Sequence, residues 1–104
     1  DAETIGKHIG DDLEEGKPTL PVIRAMVAGS DAQRSMLRKA IEEGGRERID
    51  DVVAAIVDTD ALKYTMELAR HHAQSARDAL NGLPESDAKH AMLATAEFAV
   101  ARTY

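Results

Sequence analysis

The sequence predicts an all-α fold, an antiparallel bundle of about five helices behind an N-terminal glycine-rich loop. Three observations carry this. From Thr19 onward, apolar residues recur at three- and four-residue steps, the period of a helix with one buried face. No stretch alternates apolar and polar residues as a half-buried strand does, and no repeat or low-complexity tract intervenes. Hydrophobic residues make up 43% of the chain but aromatics only 3%, so Ala, Leu, Ile, Val and Met must fill the core. Small and aliphatic side chains suit close helix–helix contact.

Each element follows from local spelling. Residues 1–18 read as a loop or a short, broken helix, because Gly6, Gly10 and Gly16 punctuate them. A first helix spans Thr19 to Ala28, with Leu20, Ile23 and Val27 at helical spacing and Val22 and Met26 beside them. Pro18 and Pro21 fix its entrance and Gly29 its exit. Ser30 and Gln33 form a capping box that opens the second helix. That helix sets Met36, Leu37, Ala40 and Ile41 on one stripe and stops at Gly44-Gly45. The third, from about Arg46, is expected to bury Ile49, Val52, Val53, Ile56 and Val57. Asp58-Thr59-Asp60 closes it and opens the fourth. The fourth runs a seam through Leu62, Thr65, Ala69, Ala73, Ala76, Leu80 and Leu83 to a stop at Asn81-Gly82. The fifth, about Ser86 to Arg102, is apolar most of the way round and is expected to be buried, or to be covered by something this chain lacks.

With 104 residues the chain is at most one domain. It has no cysteine, which excludes disulfides and thiolate metal sites and fits a reducing compartment such as the cytoplasm. The net charge of −6, with no basic cluster, argues against a nucleic-acid partner. No apolar run approaches the ~20 residues of a transmembrane span, and no signal peptide is evident.

Chemistry concentrates in Ile5 to Pro21, I-G-K-H-I-G-D-D-L-E-E-G-K-P-T-L-P. Lys7 and Lys17 flank it as compact point charges that suit phosphate oxygens, or serve simply as solvated side chains. Asp11, Asp12 and Glu15 either approach a magnesium site or stabilise a helix end. Asp50-Asp51 is a solvated first turn. His71 and His72 point about 100° apart on a helix and cannot chelate one metal together. His8 is read as facing solvent. The glycine–lysine spacings are not those of a P-loop, and no nucleophile–base pair stands out.

The spelling G-K-x-x-G-D-D-L-x-E-G-K-x-T-L-P (6–21) resembles the segment that follows the second aspartate-rich motif of trans-polyprenyl diphosphate synthases of the octaprenyl type. T-D-A-L-K-Y-T-M-E-L-A (Thr59 to Ala69), L-P-E-S-D-A-K-H-A-M-L (Leu83 to Leu93) and E-F-A-V-A-R (Glu97 to Arg102) resemble the same family's C-terminal third. The likeness implies that 1–104 is the C-terminal part of one all-α synthase domain, with 1–18 a diphosphate-side loop and 19–104 helices. About two thirds of a typical member would lie upstream. It implies a parent enzyme, a homodimer, that condenses an allylic diphosphate with isopentenyl diphosphate using magnesium. Lys7 and Lys17 would face the diphosphate, with Asp12 in support. Asp11 and Glu15 would be surface residues, since the family's two magnesium-binding motifs lie elsewhere. The chain alone would then be inactive and prone to self-association. The alternatives are a stand-alone helical protein-interaction module and, disfavoured by charge, a small DNA-binding regulator.

Overall fold

The computed structural model describes residues 2–44 and 46–101, apart from the side chains of residues 2, 3 and 5. Among them are six α-helices, one 3-10 turn and no strand. They are α1 (Ala2–Glu14), α2 (Leu20–Ala28), α3 (Asp31–Glu43), the 3-10 turn (Arg46–Arg48), α4 (Ile49–Asp58), α5 (Ala61–Leu80) and α6 (Asp87–Ala101). The all-α expectation is met. The chain forms two compact units, one reaching Thr65 and one starting at Met66, so that α5 contributes to both.

The first unit differs from expectation at its start, where a continuous 13-residue helix stands in place of a loop or a short, broken helix. Two interior glycines cost roughly 2 kcal/mol of helix propensity. Ile9 and Leu13, one turn apart and 2% and 1% exposed, outweigh that by burial. The glycines face α4: a Cβ on Gly6 would lie 3.5 Å from Val53 Cγ2, and one on Gly10 3.6 Å from Ile49 Cδ1. Gly6 and Gly10 therefore make a smooth strip on which the branched side chains of α4 rest. Of the three glycines in this segment, Gly16 is the one at positive φ, +74°. Its N–H bonds the Leu13 carbonyl at 3.0 Å, and the Lys17 N–H bonds the Asp12 carbonyl at 2.9 Å. This pair of bonds is a Schellman cap, and it terminates α1.

α2 packs on α3 and α4, but not by the predicted stripe. Pro21, Val22 and Ala25 are its buried residues, whereas Leu20, Ile23 and Val27 are 37%, 44% and 68% exposed. The helix is apolar on nearly every side, so its period allowed either face inward. The face containing Ala25 permits the closer approach.

α3 starts with the predicted capping box. The Gln33 N–H donates to Ser30 Oγ at 3.1 Å, and the Ser30 N–H donates to Gln33 Oε1 at 2.9 Å. It ends at Gly44, in the left-handed region; Gly45 lies outside the described residues. Leu37 and Ala40 enter the core with Val52, Ala55 and Ile56 of α4, and Met36 and Ile41 pack against it. Val57, expected inside, is 65% exposed because Ala55 holds the buried position. Thr59 caps α4, its hydroxyl donating to the Ala55 carbonyl at 2.8 Å.

In the second unit Ala73 and Leu80 are buried along the predicted seam, while Leu83 is 50% exposed. Arg77 of α5 pairs with Glu97 of α6. Of the two expectations for α6, burial within this chain is not met: Met92 and Phe98 are 54% and 71% exposed. Its predicted last residue, Arg102, lies outside the described residues. The buried group is Lys89, whose ammonium donates to the Leu83 carbonyl at 2.9 Å and to Glu85 at 2.8 Å. A lysine so placed closes the turn between α5 and α6, a role its sequence context did not reveal.

The glycines separate into two kinds by measurement. Gly10→Ala should leave stability unchanged or raise it by up to about 1 kcal/mol, since a methyl fits at contact distance and favours the helix. Gly10→Leu should cost about 1–3 kcal/mol by overpacking. Gly16→Ala should cost about 1 kcal/mol despite open space, because of its left-handed φ. Urea denaturation of the three variants checks the order.

Candidate functional site

The polar segment Lys7–Lys17 is the outer edge of α1 and its cap. Burial of Ile9 and Leu13 fixes the rotation of the helix, and that rotation turns Lys7 outward. Lys7 forms no ion pair with any described residue. Lys17 follows the capping glycine, and the Schellman turn folds its backbone onto the last turn of α1. Its side chain is 72% exposed and pairs with Glu15 at 3.2 Å. Lys7 lies two turns, about 10 Å along the axis, before Glu14, the last residue of α1, and Lys17 lies just beyond the cap.

Asp12 is half-buried. It meets Lys17 through its backbone carbonyl, and its carboxylate bonds no described residue. Asp11 and Glu14 are committed elsewhere. Arg46 reaches Glu14 through Nε at 2.6 Å and through Nη2 at 3.0 Å, and reaches Asp11 through Nη2 at 2.5 Å. Arg46 also passes close to α1 at Gly10, where a Cβ would lie 3.9 Å from Arg46 Cζ, at ordinary contact distance. Arg46 was not foreseen. Asp11 and Glu14, three apart on one helix edge, were the only hint of a basic partner.

The hydrogen bond from Arg46 holds the Glu14 carboxyl below its ordinary value of 4.5. Those from Lys89 and then His90 do the same for Glu85. Beside the Arg46 clamp is an open cavity of about 590 Å³, lined by Glu14, Glu43, Gly44, Arg46, Glu47 and Arg48. It includes none of Lys7, Asp12 and Lys17.

Among the described residues no group of three or more His, Asp or Glu side chains is arranged to hold a metal ion. His71 and His72 stand with ring centroids 5.7 Å apart at 68°, edge to face. No described helix is long and apolar enough to cross a membrane.

The arrangement is thus an all-α unit with Lys7 on the outer edge of a glycine-faced helix and Lys17 just beyond its cap. The family model described as polyprenyl synthetase matches residues 1–59, more than half of the chain, and the chain belongs to that family. It is 47% identical over 103 residues to the octaprenyl diphosphate synthase of Haemophilus influenzae, covering 98% of this chain and 31% of that protein. It is 41% identical over 102 residues to the all-trans-nonaprenyl-diphosphate synthase (geranyl-diphosphate specific) of Rhodobacter capsulatus, again 98% and 31%. With a short chain isoprenyl diphosphate synthase of Methanothermobacter thermautotrophicus it shares 31% over 104 residues, 100% of this chain and 32% of that protein. The chain spans about a third of the length of these relatives.

The depressed carboxyls predict a pH dependence. A carboxyl whose value is lowered on folding contributes stability that is fully present above its unfolded value and lost as pH falls through its folded value. Stability should hold down to about pH 4.5, the ordinary value of both groups, and decline below it. Arg46→Gln should shrink the loss between pH 6 and pH 3, as read from urea midpoints. An unchanged loss would show that the clamp is silent.

Proposed function

We propose that this chain is part of a trans-prenyltransferase that lengthens an allylic diphosphate with isopentenyl diphosphate. The observation that carries the reading is the 47% identity to an octaprenyl diphosphate synthase, sustained over 98% of the chain. In the proposed reaction the C–O bond of the allylic diphosphate breaks heterolytically. The isopentenyl double bond attacks the resulting allylic cation, a proton leaves, and inorganic diphosphate and a longer allylic diphosphate are released. The leaving diphosphate gains negative charge, and fixed cations near its oxygens stabilise that state more than the ground state.

Lys7 and Lys17 are assigned that role. Lys7 is exposed and without an ion-pair partner among the described residues, and Lys17 gives up only a surface pair with Glu15. Asp12, with a carboxylate unpaired among the described residues, is assigned to their support. The described carboxylates do not fit magnesium: Asp11 and Glu14 are held by Arg46, so magnesium is assigned to residues outside this chain. On the family likeness the chain is proposed to be the C-terminal part of one all-α synthase domain, and the whole enzyme a cytoplasmic homodimer making a long-chain product for quinone side chains.

Two measurements test this. This chain alone, given labelled isopentenyl diphosphate, an allylic primer and magnesium, should incorporate no label. A chimera carrying it in place of the 103-residue matched segment of the H. influenzae synthase should make polyprenyl diphosphate. In that chimera Lys7→Gln or Lys17→Gln should lower kcat about 100-fold, the scale for loss of one preorganised donor. Full activity of both variants would refute the assignment.

A further inference from the structure

On α2, Leu20, Ile23, Arg24 and Val27 stand at i, i+3, i+4 and i+7, which places them on one face. The three aliphatic side chains are exposed, and so, at 39%, is Tyr64 at the start of α5. Arg24 lies over the Tyr64 ring with Cζ 4.2 Å from its centroid. Its guanidinium makes no hydrogen bond or ion pair with a described residue, and its Nε is buried without a partner. A second unpartnered buried atom, Thr19 Oγ1, belongs to the cap of the same helix. An arginine held rigid on a tyrosine and ringed by exposed aliphatics has the composition of an interface centre.

We infer that this face docks an amphipathic helix carrying a carboxylate among its apolar residues, supplied by the part of a polyprenyl synthetase chain that these 104 residues do not span. Charge complementarity selects this occupant. A second copy meeting the patch through its own α2 would bring Arg24 against Arg24, and α2 has no acidic residue to relieve them. That pairing is excluded, and the donor is a different, acid-bearing helix. About two thirds of each relative lies outside the match. The inference rests on the proposed reading of the chain as part of a synthase.

The test exploits the absence of cysteine. Ile23→Cys is introduced into this chain and into the H. influenzae chimera, with Glu42→Cys, exposed on α3, as reference. Maleimide labelling is followed at peptide resolution. Relative to the reference, labelling at position 23 should slow at least tenfold in the chimera. Arg24→Gln should remove most of that protection. Slowing of less than tenfold, or protection indifferent to Arg24→Gln, overturns the inference.

Chimera activity reports separately. An active chimera with rapid labelling rejects the docking alone, and a protected but inactive one rejects the enzymatic reading alone. If the chimera does not fold, NMR titration of this chain with a helical Leu/Glu amphipathic peptide decides. Shifts at Leu20, Ile23, Arg24 and Val27 that vanish with Arg24→Gln support the docking, and any other pattern overturns it.

Discussion

The contact on which the rest of the first unit depends is the seating of the Gly6–Gly10 strip of α1 against Ile49 and Val53 of α4. Two glycines one turn apart let branched side chains settle against the helix backbone, where dispersion contacts are most numerous. That seating turns Ile9 and Leu13 into the core and Lys7 to the outside. It brings the N-terminal end of α4 and the 3-10 turn alongside α1, and so delivers Arg46 to Asp11 and Glu14. Residues larger than alanine at either glycine would lift α1 and loosen all of these together.

The arginine clamp has an electrostatic consequence for the lysine edge. From Lys7 to Lys17 there are two lysines against Asp11, Asp12, Glu14 and Glu15. Lys7, Asp11 and Glu14, at i, i+4 and i+7, share one helix edge. Unrelieved, those two carboxylates would repel an anion approaching Lys7. Arg46 pairs with both, and Glu15 is engaged by Lys17. These pairs are half-exposed and individually weak contributors to stability. Their more consequential effect is on the local field: they leave Lys7 as the cation on that edge without an ion pair among the described residues. In the proposed reading, Arg46 therefore assists diphosphate binding without touching it.

Legibility from sequence followed the range of the interactions. The capping box of Ser30 and Gln33, the stops at Gly29 and Gly44 and the closing role of Thr59 are local, and were readable from spelling alone. The α-helical class was likewise set by period and composition. What escaped were choices made by partners far along the chain. Gly6 and Gly10 read as loop residues because only Ile49 and Val53, some forty positions away, give them a reason to be helical. Arg46 read as the start of a helix because its carboxylates lie 32 and 35 residues upstream. Lys89 shows the complementary failure: its partners are close in sequence, but the turn that gathers them is not recognisable from residue types. Of the candidate site, Lys7 and Lys17 were singled out by family spelling; the continuous helix that carries Lys7 was not foreseen.

The exposed face of α2 is the most informative of the misread elements. Amphipathic helices reveal their buried side by contrast, and LPVIRAMVA offers little, since eight of its nine residues are apolar or proline. A helix so apolar is stable in water only where both of its faces are eventually covered. Within the first unit α3 and α4 cover the Val22 and Ala25 side and leave Leu20, Ile23 and Val27 in solvent. Placing the polar Arg24 in the middle of the open face, instead of at its margin, gives direction to that surplus. An unpaired cation on an apolar surface penalises any purely apolar occupant, which would bury it without compensation. It favours one that brings a carboxylate. The residue that spoils the hydrophobic pattern of the helix is thus the one that gives its exposed face selectivity.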